Sequence, residues 1–387
     1  MTNSEQKALL PTGLTDLLPP DADREEAITR QLLDHFRRYG YQRVKPPLLE
    51  FEAGLLDGVG AVHTDQTFRV MDPASQRMLG VRADITPQIS RITSTRLASA
   101  PRPLRISYSG EVLRVKGSQL RAERQIRQIG VELIGAAHAA TGDAEVIVLA
   151  AEGLAGIGID GLSVDISAPS LAGTICQALN VPADAMPRLS AAIDRKDAAA
   201  LQEIGILHGL TEATEILSLL LGAAGAASAG LSGLADLALP DDARALVDRL
   251  IEVVELVQRA APDLDVTIDP IESRGFEYHS GISFTLFALG ARGELGSGGR
   301  YLTTGDELAT GFTLSTDMVL RASPGTSTAE RVFVPHGTPP DIARALRADG
   351  QIAIQGLVAA QDILAEAQRL SCSHYWRDGT VVAVGKT

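Results

Sequence analysis

The run Gln128-Ile129-Gly130-Val131-Glu132 places an amide, a glycine and a carboxylate at alternate positions. Side chains two residues apart on a strand point to the same face. That face would carry two hydrogen-bonding arms separated by bare backbone at Gly130, a floor on which a small ligand could lie. A second carboxylate, Asp84, stands just before Thr86-Pro87. It could pair with an ammonium ion, or simply help to cap the helix that starts there. On spacing alone, the wet side of an antiparallel sheet is the expected reading of Gln128, Gly130 and Glu132.

Strands must hold these groups. Leu104, Ile106 and Tyr108 alternate with Arg105, Ser107 and Ser109. Ile129, Val131 and Leu133 alternate with Gln128, Gly130 and Glu132 in the same way. This is the period of half-buried strands, here joined by a long charged loop. Upstream, an arm over residues 1–19 leads to a helix opened by Pro20-Asp21, striped by Ile28, Leu32, Leu33, Phe36 and Tyr39 and stopped by Gly40. Residues 41–45 read as a strand, and residues 67–71 and 77–81 as a hairpin around Asp72-Pro73-Ala74-Ser75. Thr86 reads as an N-cap and Pro87 as the first helical residue, with Ile89, Ile92 and Leu97 facing inward. A helix near residues 139–156 and a strand over 162–166 follow.

Residues 168–262 read as a mainly helical insertion into the sheet. The Ala/Gly-rich stretch 221–240 is either a loose connection or a close-packed helical turn. The clearest helix there, 241–260, has Leu246, Val247, Leu250, Val254 and Val257 as its stripe. Strands resume from about residue 266 to 314 and end in a helix. After residue 325 a small α/β tail follows, closed by a hairpin at Arg377-Asp378-Gly379-Thr380.

At 387 residues the chain has room for two or three domains and a large core. An apolar fraction of 45% and a charged fraction of 21% fit a globular protein. Aromatics make up 4%, too few for extended base-stacking platforms. A net charge of −13 argues against a general polyanion-binding surface. Cys176 and Cys372 lie far apart, as in a reduced, cytoplasmic setting. Cys372-Ser373-His374 is too sparse for zinc, and neither metal nor cofactor is expected. The N-terminus has no signal-peptide pattern and no run reaches membrane-spanning length.

YSGEVLR (108–114) followed by RQIRQIG (124–130) resembles motif 2 of class II aminoacyl-tRNA synthetases in its histidyl form. The helix, strand and proline over 21–47 resemble motif 1, which implies a self-dimer. Arg274-Gly275-Phe276-Glu277-Tyr278-His279 and Gly298-Gly299-Arg300-Tyr301 resemble the two histidine-binding signatures of histidyl-tRNA synthetase. The resemblance runs over roughly residues 10–320, in order and with similar gaps. It implies an α+β fold, a mostly antiparallel sheet flanked by helices. The change in composition after about residue 325 sets a domain over 1–325, with its insertion, apart from a small C-terminal domain over 326–387.

The implied pocket takes histidine or a histidine-like ligand. Asp84 and Glu132 would accept from an α-ammonium group, with Thr86 and Gln128 adding uncharged hydrogen bonds. Arg114 and Arg274 would grip a carboxylate or phosphate, and Tyr278 and Tyr301 would wall an imidazole. A lone arginine would otherwise be a solvated ion pair and a lone tyrosine core packing.

The departures matter most. Met318 stands where motif 3 ends in the arginine that holds the ATP γ-phosphate, and its thioether offers no donor. Asp317 beside it would repel a triphosphate and could cap the following helix. Lys116, Leu113 and His279 replace the usual glutamate, phenylalanine and tyrosine, and Tyr301-Leu302-Thr303 lacks the usual aspartate. The tail of about 60 residues is shorter than a full anticodon-binding domain.

This pattern resembles the synthetase paralogues that serve as regulatory subunits of ATP phosphoribosyltransferase in histidine biosynthesis. The resemblance implies a non-catalytic, allosteric role in a hetero-octamer with the short catalytic subunit, and feedback by L-histidine. The acidic net charge argues against tRNA binding, and no membrane association is expected. An active histidyl-tRNA synthetase is the alternative, and a stand-alone amino-acid- or tRNA-binding module a third reading.

Overall fold

The computed structural model describes residues 9–117, 121–273, 278–325 and 330–385. The chain divides into two units, Met1–Pro324 and Gly325–Thr387. The strands of the first unit are β1 (Gln42–Arg43), β2 (Leu49–Phe51), β3 (Phe68–Met71), β4 (Met78–Val81), β5 (Leu104–Leu113), β6 (Gln125–Ile134), β7 (Leu162–Ser167), β8 (Gly225–Ala226), β9 (Asp265–Ile268), β10 (His279–Ala288), β11 (Gly296–Leu302) and β12 (Leu308–Ser315). Nine of them form one sheet in the order β1-β5-β6-β12-β11-β10-β7-β9-β8. Only β1–β5 and β7–β9 pair in parallel, so the sheet is mostly antiparallel. A smaller sheet, β2-β4-β3, carries the hairpin expected over residues 67–81.

The helix Asp21–Arg38 forms where the 3.6-residue stripe places it, with Asp21 and Asp23 in its first turn and Arg37 and Arg38 in its last. Its apolar edge is driven into the sheet: Leu32 and Phe36 are fully buried, and Phe36 meets Phe312 of β12 edge-on, ring centroids 5.5 Å apart. Gly40 ends it with φ +87°, a conformation other residues rarely adopt. The strand expected over 41–45 shortens to Gln42–Arg43, because Pro46 and Pro47 have no N–H to offer a ladder. Leu49–Phe51, unforeseen in the sequence, pairs with β4.

Both faces of β6 are buried, which corrects the wet-face reading of Gln128, Gly130 and Glu132. Ile129, Val131 and Leu133 join the main core, which includes Val146, Ile147 and Leu154 of the helix Ala139–Gly156. On the other face, Val59, Ile85, Ile89, Ile106, Tyr108 and Tyr301 form a second core. The helix Thr86–Ser94 roofs this second core, and Gln128 and Glu132 lie inside it, 3% and 2% exposed. Ile89 of that helix is fully buried, whereas Ile92 and Leu97 are only half-buried.

Residues 171–260 hold six helices, Leu171–Ala178, Met186–Asp194, Ala198–His208, Thr211–Gly222, Ala227–Ala235 and Asp241–Ala260. Val247, Leu250, Val254 and Val257 are buried, and Leu246 packs at the edge. The Ala/Gly-rich stretch is close-packed: a Cβ on Gly230 would lie 2.5 Å from the Ala223 carbonyl oxygen.

The second unit orders its strands β14 (Ile352–Gln355), β13 (Arg331–Val334), β15 (His374–Arg377) and β16 (Thr380–Ala383), with helices Pro340–Ala348 and Ile363–Arg369. Its hairpin turns at Asp378 and Gly379, both at positive φ, +47° and +85°.

Candidate functional site

The site grows from strand register. Glu132 of β6 lies opposite Ile106 of β5 on one side and Gly311 of β12 on the other. Gly311 in turn lies opposite Gly299 of β11. Two glycines beside the carboxylate make the floor of the site. Gly130 does not, which corrects the bare-backbone expectation. Tyr108 lies opposite Gly130 and its phenol covers it: a Cβ on Gly130 would lie 2.6 Å from the Tyr108 hydroxyl. That hydroxyl reaches over the glycine to Thr313 Oγ1, 2.7 Å away.

Three hydroxyls converge on Glu132. Tyr301 donates to Oε2 at 3.0 Å and Thr86 to Oε1 at 3.1 Å, and the Tyr108 hydroxyl lies 3.4 Å from Oε1. Burial pushes the Glu132 carboxyl up to about 8; the Tyr301 and Thr86 hydroxyls oppose that shift and the nearby Asp84 adds to it. Burial and Glu132 together raise the Tyr301 and Tyr108 phenols well above their ordinary range.

Asp84 closes the neighbouring corner. Its Oδ1 accepts the Thr86 N–H at 2.8 Å, and its Oδ2 accepts from the Gln128 amide at 2.8 Å. Gln128 Oε1 accepts the Ile85 N–H at 3.1 Å, so the one amide ties β6 to the start of the roof helix. Burial pushes the Asp84 carboxyl up, but His63, the Gln128 amide, Arg114 and the Thr86 N–H together hold it below its ordinary value. Thr86 begins the helix rather than capping it. Its hydroxyl goes to Glu132, so the expected N-cap role is replaced by a site contact.

Asp84, Thr86, Gln128, Glu132 and Tyr301 are thus brought into one hydrogen-bonded network. Tyr278 stacks on His279, with ring centroids 4.3 Å apart, and meets Tyr301 edge-on at 5.9 Å. Arg114 stands at the Asp84 corner, its Nε 3.3 Å from the Ala83 carbonyl oxygen. Arg274 lies outside the described residues. Thr86, Glu132, Tyr278, His279, Gly299, Tyr301, Gly311 and Thr313 line a cavity of about 10 Å³. That is room for about one water molecule. The arrangement is a buried carboxyl flanked by hydroxyls and aromatic rings, groups that can receive an ammonium-bearing ligand. Among the described residues, no group of three His, Cys, Asp or Glu side chains suits a metal ion, and no helix is long and apolar enough to cross a membrane.

Tyr108, Thr313, Gly311 and His63 were missed as site residues. Tyr108 was legible only as an apolar position of β5, and its place over Gly130 depends on register. Met318 points into the main core, 7% exposed. Asp317 does not cap its helix: its Oδ1 accepts from Arg121 at 3.0 Å, and no side-chain cap bond forms at Ser315.

The histidyl-tRNA synthetase family model matches residues 13–319. An ATP phosphoribosyltransferase regulatory subunit of Rhodospirillum centenum is 50% identical over 98% of this chain and 97% of its own. The same-named protein of Paramagnetospirillum magneticum is 51% identical over 97% of each chain. A solved ATP phosphoribosyltransferase regulatory subunit/histidyl-tRNA synthetase from Bacillus halodurans superposes with a TM-score of 0.79 at 23% identity, covering 95% of this chain and 96% of that one. A histidyl-tRNA synthetase from Nostoc gives the same TM-score at 18% identity, covering 95% and 90%. At such identities the two structures establish the fold alone.

Proposed function

This chain belongs to the ATP phosphoribosyltransferase regulatory subunits, a histidyl-tRNA-synthetase-like family, and from that footing we propose that it serves a short catalytic subunit as its histidine-responsive partner. The supporting observation is identity of 50–51% over 97–98% of the chain to proteins of that name. The synthetase-like pocket supports histidine as the ligand: Glu132 and Asp84 accept from the ammonium group, Thr86 and Gln128 orient it, and Tyr278 and Tyr301 flank the ring. Arg114 and Arg274 take the carboxylate. The assembly is cytoplasmic and hetero-octameric, and the chain also pairs with itself through the helix Asp21–Arg38 and β1.

The mechanism is linkage. Histidine favours a less active state of the complex, and that state binds histidine more tightly. The side chains that replace the γ-phosphate arginine fit a chain that does not adenylate. Met318 is buried apolar and Asp317 is committed to Arg121.

The test is phosphoribosyl-ATP formation by the short catalytic subunit of the same organism, with and without this chain and then with histidine. A higher rate and a histidine-dependent loss are expected. Glu132→Ala and Asp84→Ala should abolish histidine binding, and intact affinity in both would remove the pocket assignment. No rate change and no association would remove the partner, and tRNA charging by the purified chain would replace this reading with a synthetase.

A further inference from the structure

A lysine of the helical insertion clamps the run of chain that leaves β9. Lys196 lies in the short link between the helices Met186–Asp194 and Ala198–His208. Its backbone is left-handed, φ +54°, a conformation that glycine takes readily and other residues rarely. The side chain puts the position to use: its ammonium bonds the Asp269 carboxylate and lies 3.4 Å from Glu272 Oε2.

Asp269 and Glu272 belong to the run that leads from the end of β9 toward β10. The Asp269 N–H donates to the Ile166 carbonyl oxygen at 3.0 Å, and the Pro270 carbonyl oxygen accepts the Ala168 N–H at 3.3 Å. The run thus crosses the end of β7, which stands between β9 and β10 in the sheet, and Ile271 anchors it in the main core, fully buried. That end of β7 meets the start of β10: Ser167 lies opposite Ser283, their hydroxyls 2.7 Å apart. At the start of β10, His279 lies opposite Tyr301 of the pocket. The clamp and the pocket therefore share one end of the sheet.

Three carboxylates crowd the clamp. Asp165 of β7 accepts from the Thr267 hydroxyl at 2.7 Å. Burial raises its carboxyl, with Asp269 and Glu272 adding to the rise and the Thr267 hydroxyl and the Lys196 ammonium opposing it. Like charges so placed repel, and Lys196 offsets that repulsion. The lysine side chain is 37% exposed, so its ion pairs contribute little to global stability. Their effect is local, on where the run Asp269–Ser273 lies.

We propose that Lys196 is a positioning residue for the pocket: it holds the run Asp269–Ser273 so that Tyr278, just before β10, meets Tyr301 edge-on at 5.9 Å. The inference rests on the histidine-pocket reading and adds to it a part played by the helical insertion.

The experiment is calorimetric titration of the full chain with histidine, run as a double-variant cycle of Lys196→Met and Tyr278→Leu. Lys196→Met should melt close to the native chain and bind histidine about fivefold more weakly, within the range of couplings between residues of one network. Lys196→Arg, which keeps the charge, should stay near native affinity. In the Tyr278→Leu background Lys196→Met should cause no further loss, because the ring it positions is gone. A merely structural lysine would make the two losses add. Native affinity in Lys196→Met, additive losses, or Lys196→Arg as weak as Lys196→Met would each overturn the proposal. Absence of histidine binding by the native chain is a distinct outcome, which removes the pocket reading and this inference with it. Should Lys196→Met not fold, Lys196→Gln carries the same expectations.

Discussion

Gly311 faces Glu132 across the β6–β12 pair, and a Cβ placed on it would lie 2.0 Å from Glu132 Oε2. The carboxylate occupies the space that every other residue type would claim. Gly311→Ala should therefore push Glu132 away from Tyr301 and Thr86. Overpacking of this kind costs about 1–3 kcal/mol. Urea melts should show that loss, and histidine titration a clear drop in affinity; unchanged melts and affinity would mean that the strand pair absorbs the methyl group.

Glu132 makes the chain sensitive to pH. Its folded carboxyl titrates near 8, far above the ordinary glutamate range. Between those two values the folded chain holds a proton that the unfolded chain has released. Stability from this group is full below the ordinary range and is lost as pH rises through about 8. Glu132→Gln should flatten that slope in thermal melts taken across the interval. An ammonium ligand favours the carboxylate, so histidine binding below about pH 8 should release a proton. Calorimetry in two buffers of different ionisation enthalpy reads this directly, and identical heats would count against it.

Tyr301→Phe removes the 3.0 Å hydroxyl donor to Glu132 Oε2 and little else. A hydrogen bond to a carboxylate contributes about 1.5–3 kcal/mol. Because that bond favours the ionised form, its loss should raise the Glu132 carboxyl further. The pH window found for the native chain should move upward in the variant, whereas a purely steric role would leave it in place.

Arg300 and Asp143 are 2% and 1% exposed, and the guanidinium meets both carboxylate oxygens, at 2.9 and 3.2 Å. Arg300 also donates to the Ala139 carbonyl oxygen at 2.8 Å, pinning the helix Ala139–Gly156 to β11. Arg300→Met alone leaves a buried carboxylate and should cost about 3–5 kcal/mol. Arg300→Met with Asp143→Leu should recover most of it in denaturant melts; equal losses in the single and double variants would assign the cost to the lost carbonyl bond instead.

Much of the architecture is legible in the chain itself because its signals are local. The stripe of Ile28, Leu32 and Phe36 specifies a helix and its buried edge. Pro46-Pro47, Gly40 and Asp378-Gly379 stop or turn the backbone wherever they stand, since their limits are set within one or two residues. The network members Asp84, Thr86, Gln128, Glu132 and Tyr301 are likewise legible as residue types in ordered motifs.

Only tertiary structure decided what faces what. Alternation shows that β5 and β6 each have an apolar and a polar side, but it holds no information on register, and a slip of one residue reverses every side chain. The observed register sets Ile106 and Tyr108, from the apolar side of β5, beside Glu132 and Gly130, from the polar side of β6. The roof helix then buries the mixed face. Glu132 becomes an enclosed, proton-holding carboxylate instead of a wet one, Tyr108 becomes the cover of Gly130, and the bare floor moves to Gly311 and Gly299. Those outcomes depend on contacts between residues far apart in sequence, whose strength is set by burial and not by residue type.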